Sequence, residues 1–266
     1  MARRTPTGSL FLALTPVLIF TALLGSVFGE TNRFPFHPGE QMKFQVHWTI
    51  IPAGEVVLEV MPLETLSGVR CYRFAMTART SEAIDVFYKI RDRIDAYADT
   101  DMTRSLLYRK RQEGRTRRDI VVQFDWAKGE TRYRNFDEER DPVPLLPGSF
   151  DPLSIFYAFR AHGLTDGKDI HVPVTDGKRC VLGRTKIIGR EKVEVPAGTY
   201  ETFLVETEMK DVGGVFEKTP KAGLRIWVTA DEDRIPVRVK SRVKVGSFTA
   251  ELVSWKKGRT TSASRR

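Results

Sequence analysis

The run AGLRIWVTADEDRIPVRVKSRVKVGSFTAELVSW, Ala222 to Trp255, decides the fold. Leu224, Ile226 and Val228 share one face of its first segment. Asp231, Glu232 and Asp233 make a polar turn. Ile235, Val237 and Val239 then alternate with Pro236, Arg238 and Lys240. After Val243-Lys244-Val245 the pair Gly246-Ser247 breaks the pattern, and Phe248, Ala250 and Leu252 resume it. A period of two marks half-buried β-strands, so the stretch reads as a β-meander onto which the rest of the chain pairs.

The same signal recurs upstream. Met42, Phe44, Val46 and Trp48 point one way, and Val56, Leu58 and Val60 answer them across Pro52-Ala53-Gly54, read as a hairpin turn. Cys71 to Thr80 is a third strand. Ser81 to Asp99 fits a short helix or turn at 81–86 feeding a strand at 87–98. Leu106 to Trp126 is a hairpin around Glu113-Gly114, followed by a turn at Lys128-Gly129. Two TDGK tetrads, Thr165–Lys168 and Thr175–Lys178, flank a short strand in which Pro173 indicates an edge. Strands at Arg179–Ile188, Glu191–Val195 and Tyr200–Glu208 follow, with Pro196-Ala197-Gly198 as a turn.

One helix interrupts this β pattern. Asp151 is an N-cap, Pro152 sits at the first helical position and Gly163 ends it, giving a helix over about 151–162. Leu153, Phe156, Tyr157 and Arg160 fall on one side, with Ile155 and Phe159 beside them. So wide an apolar arc must be buried on a sheet or cover the mouth of a curved one. The expected fold is mainly β: a strongly curved antiparallel sheet or partly open barrel with this one short covering helix.

The ends carry other information. Arg3 and Arg4 precede an uncharged run from Leu10 to Phe28, and Val27 and Gly29 suit a signal peptidase site. The expectation is a signal peptide over 1–29 and an exported, periplasmic chain. The lesser alternative is an uncleaved anchor, because a span needs roughly 17–25 apolar residues. Residues 30–38, with Pro35 and Pro38, read as a linker, 39–255 as a single β-rich domain and 256–266 as a disordered basic tail. Removal of 1–29 takes the net charge from +9 to +7. That sign favours anionic head groups or acidic polysaccharide, unless it serves solubility alone.

No G-x-S-x-G, H-E-x-x-H, P-loop or dinucleotide fingerprint occurs, and the four histidines are scattered singly. No metal site or cofactor is expected. Cys71 and Cys180 are an even pair in a chain read as exported, which permits a disulfide; two small buried thiols is the alternative. The candidate ligand-binding residues are Phe87, Tyr88, Arg91, Arg93, Phe156, Phe159 and Trp227. Arg91 and Arg93 share a strand face, where they either meet a ligand or pair with acids on a neighbouring strand. Arg109, Arg111, Arg115, Arg117 and Arg118 form a basic hairpin, either a patch for anionic groups or an edge charged against aggregation.

FHPGEQMKFQVHW, IPAGEVVLEV, FYKIRDRIDAYAD, KVEVPAGTYETFLVE and AGLRIWVTADEDRIPVRVKSRVKVGSFTAEL together resemble an exported bacterial family catalogued as domain of unknown function 3108. The resemblance spans about residues 36–255. It implies an exported, β-rich protein and supplies no catalytic residues. The functional expectation is a non-catalytic envelope protein that holds a lipid-like or amphipathic ligand in the hollow of its sheet, as a monomer. The alternatives are an assembly or structural factor acting through a protein, glycan or anionic membrane surface, and a hydrolase without a local motif. Nucleic acid is not an expected partner.

Overall fold

The computed structural model describes residues 34–208, 223–242 and 246–259. The signal segment, Val243-Lys244-Val245 of the meander and residues 260–266 of the tail lie outside the described residues.

The chain runs through β1 (Gln41–Trp48), β2 (Ile51–Val60), β3 (Glu64–Leu66), β4 (Val69–Thr80), α1 (Glu82–Asp85), β5 (Arg91–Asp99), β6 (Ser105–Gln112), β7 (Arg118–Asp125), β8 (Glu130–Asn135), β9 (Glu138–Glu139) and β10 (Val143–Pro144). Then come α2 (Ser154–Ala161), β11 (Asp169–Thr175), β12 (Cys180–Val195), β13 (Gly198–Glu208), β14 (Gly223–Thr229), β15 (Pro236–Arg242) and β16 (Ser247–Lys256). The described strands belong to one sheet, ordered β10-β8-β7-β6-β5-β4-β2-β1-β16-β15-β14-β13-β12-β11, with β3 paired to β4 and β9 to β8 off that path. The ladders along the path are antiparallel, so the sheet is two meanders joined where β1 meets β16. The C-terminal meander is therefore as its alternation predicts.

The sheet curls but does not close. Ser149 to Asp151 links its two halves: Ser105 N at the start of β6 donates to Ser149 O, and Phe150 forms an isolated parallel bridge to Val174 of edge strand β11. Pro173 sits on that edge strand, where its missing N–H costs no ladder bond.

Several boundaries differ from expectation. Pro52-Ala53-Gly54 is inside β2, and the turn is Thr49-Ile50. A register shift in the β1–β2 ladder between Val46 and His47 absorbs this segment. Gly54 is required there because a Cβ would meet Arg79 O of β4 at 2.1 Å. The strand expected from residue 87 starts at Arg91, leaving Phe87 and Tyr88 in a loop. The two strands expected around residue 190 are a single β12, kinked by a register shift between Ile187 and Gly189.

Within the expected linker, residues 34–38 are described, and they pack on the sheet. Phe36 is 0% exposed and Phe34 stacks on it at 5.5 Å, both against the inner face of β4. At the start of the tail, Lys256 ends β16, Lys257 pairs with Asp233, and Arg259 N donates to Pro38 O.

The cap of α2 is supplied by Asp151, although the helix proper starts at Ser154. Asp151 Oδ1 accepts from the amides of Leu153 and Ser154, and Oδ2 accepts from Ser105 Oγ. This carboxyl is 0% exposed, and burial pushes its pKa up against those bonds. The unfolded carboxyl ionises first as pH rises from near 4, so stability present at low pH is lost towards the raised folded pKa. Asp151→Asn keeps the Oδ1 acceptor and carries no charge. Urea titrations between pH 4 and 8 are expected to show its stability rising relative to wild type as pH rises. A difference that stays flat with pH refutes the assignment.

Candidate functional site

Helix α2 is held between two environments. Tyr157 and Arg160 point into the aromatic end of the main core. Tyr157 stacks on Phe74 and meets Phe36 edge-on at 5.3 Å. Arg160, 1% exposed, donates from Nη1 and Nη2 to the Glu40 carboxylate at 2.6 and 3.1 Å. Its remaining donors reach Arg234 O, Asp233 O and Pro35 O. One side chain thus ties α2 to the N-terminal segment and to the β14–β15 turn.

On its other side the helix faces the inner surface of β11 to β15 across a cavity of about 160 Å³. Ile155, Phe156 and Phe159 form the helical wall, and Val172, Val205 and Ile226 belong to the sheet wall. Two inward rows cross the sheet there. Ile187–Val205–Ile226–Val239 is apolar throughout. The next row, Ile170–Thr185–Thr207–Leu224–Ser241, carries three hydroxyls. Thr207 Oγ1 and Ser241 Oγ are buried without a hydrogen-bond partner. An unpaired buried hydroxyl costs about 1–3 kcal/mol, so this row is poised to gain from a polar atom delivered to it.

The size constrains the occupant. An apolar cavity of roughly 150 Å³ stays dry and admits a molecule such as benzene. This one has the volume of an aromatic ring or a short stretch of hydrocarbon.

Only part of the expected ligand set meets here. Phe156 and Phe159 line the cavity. Trp227 lies on the opposite face of β14 from Ile226 and Val228, its indole N–H donating to Glu191. Phe87 and Tyr88 are exposed beside α1. Arg91 pairs with Asp85, and Arg93 with Asp95, on the outer face. Those partners lie on α1 and on β5 itself rather than on a neighbouring strand. Arg109 and Arg111 also face outward, while Arg115, Arg117 and Arg118 are exposed around the β6–β7 turn. Thr185, Thr207 and Ser241 escaped sequence reading. Their signal was a hydroxyl at an inward position where the alternation called for an apolar side chain.

The two cysteines are free, which overturns the disulfide reading. Cys71 is in a small outer-face cluster with Tyr97 and Leu107, its thiol donating to Glu64 O and its pKa raised by burial. Cys180 lies 3.3 Å from Ser149 Oγ, at the start of β12. Among the described residues no three His, Cys, Asp or Glu side chains converge as metal ligands. None of the described helices is long and apolar enough to cross a membrane.

Among solved structures, the chain is similar to a beta-barrel-like protein of domain of unknown function DUF1849 from Brucella abortus, with 11% identity and a TM-score of 0.54. That likeness covers 84% of this chain and 99% of the other, and it shows the fold alone. A protein described as exported, with a YmcC-like fold, from Bacteroides fragilis matches at TM-score 0.40 and 13% identity, covering 84% and 98%. One described as a lipoprotein from Parabacteroides distasonis matches at 0.36 and 12%, with the same coverage. No curated protein matches. The family model for proteins of unknown function DUF3108 matches residues 43–253, the greater part of the chain and nearly all of its sheet. On that match the chain belongs to the DUF3108 family.

Proposed function

We propose that this is an exported, non-catalytic binding protein whose cavity beneath α2 holds the apolar part of an amphipathic ligand. The observation that carries the reading is the pairing of an apolar wall with inward hydroxyls at Thr185 and Thr207, the second buried and unpartnered. Phe156 and Phe159 supply apolar contact, and Thr207 receives the ligand's polar group. Export is supported by the signal-like N-terminus, and no chemistry is asked of the site.

The test is native mass spectrometry with organic extraction of protein purified from its own host. A co-purifying amphipathic molecule is expected. Val172→Phe places a ring in the cavity from the half-buried wall of β11. It is expected to lower recovery of that ligand about tenfold, the effect of roughly 1.4 kcal/mol, with circular dichroism unchanged. Wild-type protein that carries no ligand and binds none from a lipid extract would sink the proposal.

A further inference from the structure

Three loops meet at one rim of the sheet, beside the start of β16. The β1–β2 turn touches that strand, where Thr49 N donates to Ser247 O. The α1 loop joins β2 through Ser81 N to Ala53 O. The β6–β7 turn joins the α1 loop through Arg115 N to Lys89 O, and the Arg115 guanidinium lies over the Tyr88 ring at 5.5 Å. This rim carries large apolar side chains with nothing to bury them: Ile50 is 85% exposed, Val86 80% and Phe87 79%. Ile51 and Tyr88 are exposed beside them.

The surrounding charge is one-sided. Asp85 is paired with Arg91, and Glu113 lies 4.0 Å from Arg111. Exposed Glu82 therefore stands alone among these loops against Lys89, Arg115, Arg117 and Arg118. Protruding aliphatic and aromatic residues ringed by cations match a bilayer interface, where apolar groups enter the acyl boundary and Lys and Arg meet anionic head groups. A purely solvating role for the arginines leaves Ile50, Val86 and Phe87 unexplained, because soluble monomers rarely cluster such residues at loop tips.

We infer that this rim docks the protein on an anionic lipid surface, with Ile50, Val86 and Phe87 inserted and the β6–β7 arginines on the head groups. The inference does not depend on the cavity being occupied. It gives the basic hairpin a partner of definite chemistry, and it gives Phe87 and Tyr88 a role outside the cavity.

The test is co-sedimentation of the protein lacking residues 1–29 with two vesicle types, one containing phosphatidylglycerol and one of phosphatidylcholine alone. Binding is expected to the first and not to the second. It should weaken between 0.1 and 1 M salt, where the screening length falls from about 10 Å to about 3 Å. Ile50→Ser with Phe87→Ser, and separately Arg115→Glu with Arg117→Glu, are each expected to reduce binding about tenfold or more. These side chains are exposed, so the fold is retained, as an unchanged urea midpoint will show. Val172→Phe is expected to bind vesicles like wild type, which separates failure of the rim from failure of the cavity. Equal binding to both vesicle types, or variants that bind undiminished, overturns the inference. So does a wild-type dimer that the Ser variant converts to monomer, because the rim would then serve a second copy of the chain.

Discussion

Replacing Arg160 with methionine is expected to destabilise the protein by roughly 3–5 kcal/mol, a large share of the stability of an ordinary domain. The expected cost comes from what is left behind. Glu40, 1% exposed, would lose its counter-ion and two hydrogen bonds, and three backbone carbonyls would lose a donor. Glu40→Leu is expected to cost a similar amount for the converse reason. The double variant removes both charges and should recover much of the loss, since a buried pair exchanged for apolar groups of similar volume is often near neutral. Recovery will be incomplete because Arg234 O, Asp233 O and Pro35 O stay unpaired. Urea unfolding of both singles and the double forms a complete cycle. Simple additivity would show that the two side chains are not energetically coupled. The same variant bears on function, because Arg160 fixes the helix that forms one wall of the cavity. Loss of ligand at a temperature where the variant is still folded is expected as well.

The architecture was readable wherever one face of a strand is wet. Lys43 and Gln45 face outward between Met42, Phe44 and Val46, so β1 announces itself, and the same holds for β14 to β16. Helix α2 was readable because Asp151-Pro152 combines an acceptor for free amides with a fixed φ. Pro52-Ala53-Gly54 misled because the same triplet is a turn in one place and a strand in another. At residue 196 the chain reverses, whereas at residue 54 the glycine admits the backbone of β4. The cavity was not readable at all. Its wall draws on five strands and a helix, and which inward residues share a row depends on a shift at Ile187 that no local pattern encodes. Phe87 shows the converse: an aromatic residue read as part of a strand suggests burial, but four residues of delay in the strand's start leave it outside.

Phe36 and Phe87 make the sharpest comparison, because reading by periodicity ranks them in the wrong order. Phe36→Ala is expected to cost about 3–5 kcal/mol. Its ring meets Tyr72 at 5.4 Å, Phe74 at 5.6 Å and Tyr157 at 5.3 Å, each edge-on, and Arg160 lies over its face at 5.6 Å. Edge-to-face pairs contribute roughly 0.5–1.5 kcal/mol beyond the area they bury, so the loss should lie towards the upper end of that range. Phe87→Ala, in contrast, is expected to stay within about 0.5 kcal/mol, as surface changes do. The Phe36 ring and the Arg160 guanidinium share one site, so their combined substitution should cost less than the two taken separately. Urea midpoints of the four proteins decide the matter. If Phe36→Ala unfolds at the wild-type midpoint, residues 34–40 do not seal this end of the sheet, and the tie between Glu40 and α2 cannot be what holds the helix over the cavity.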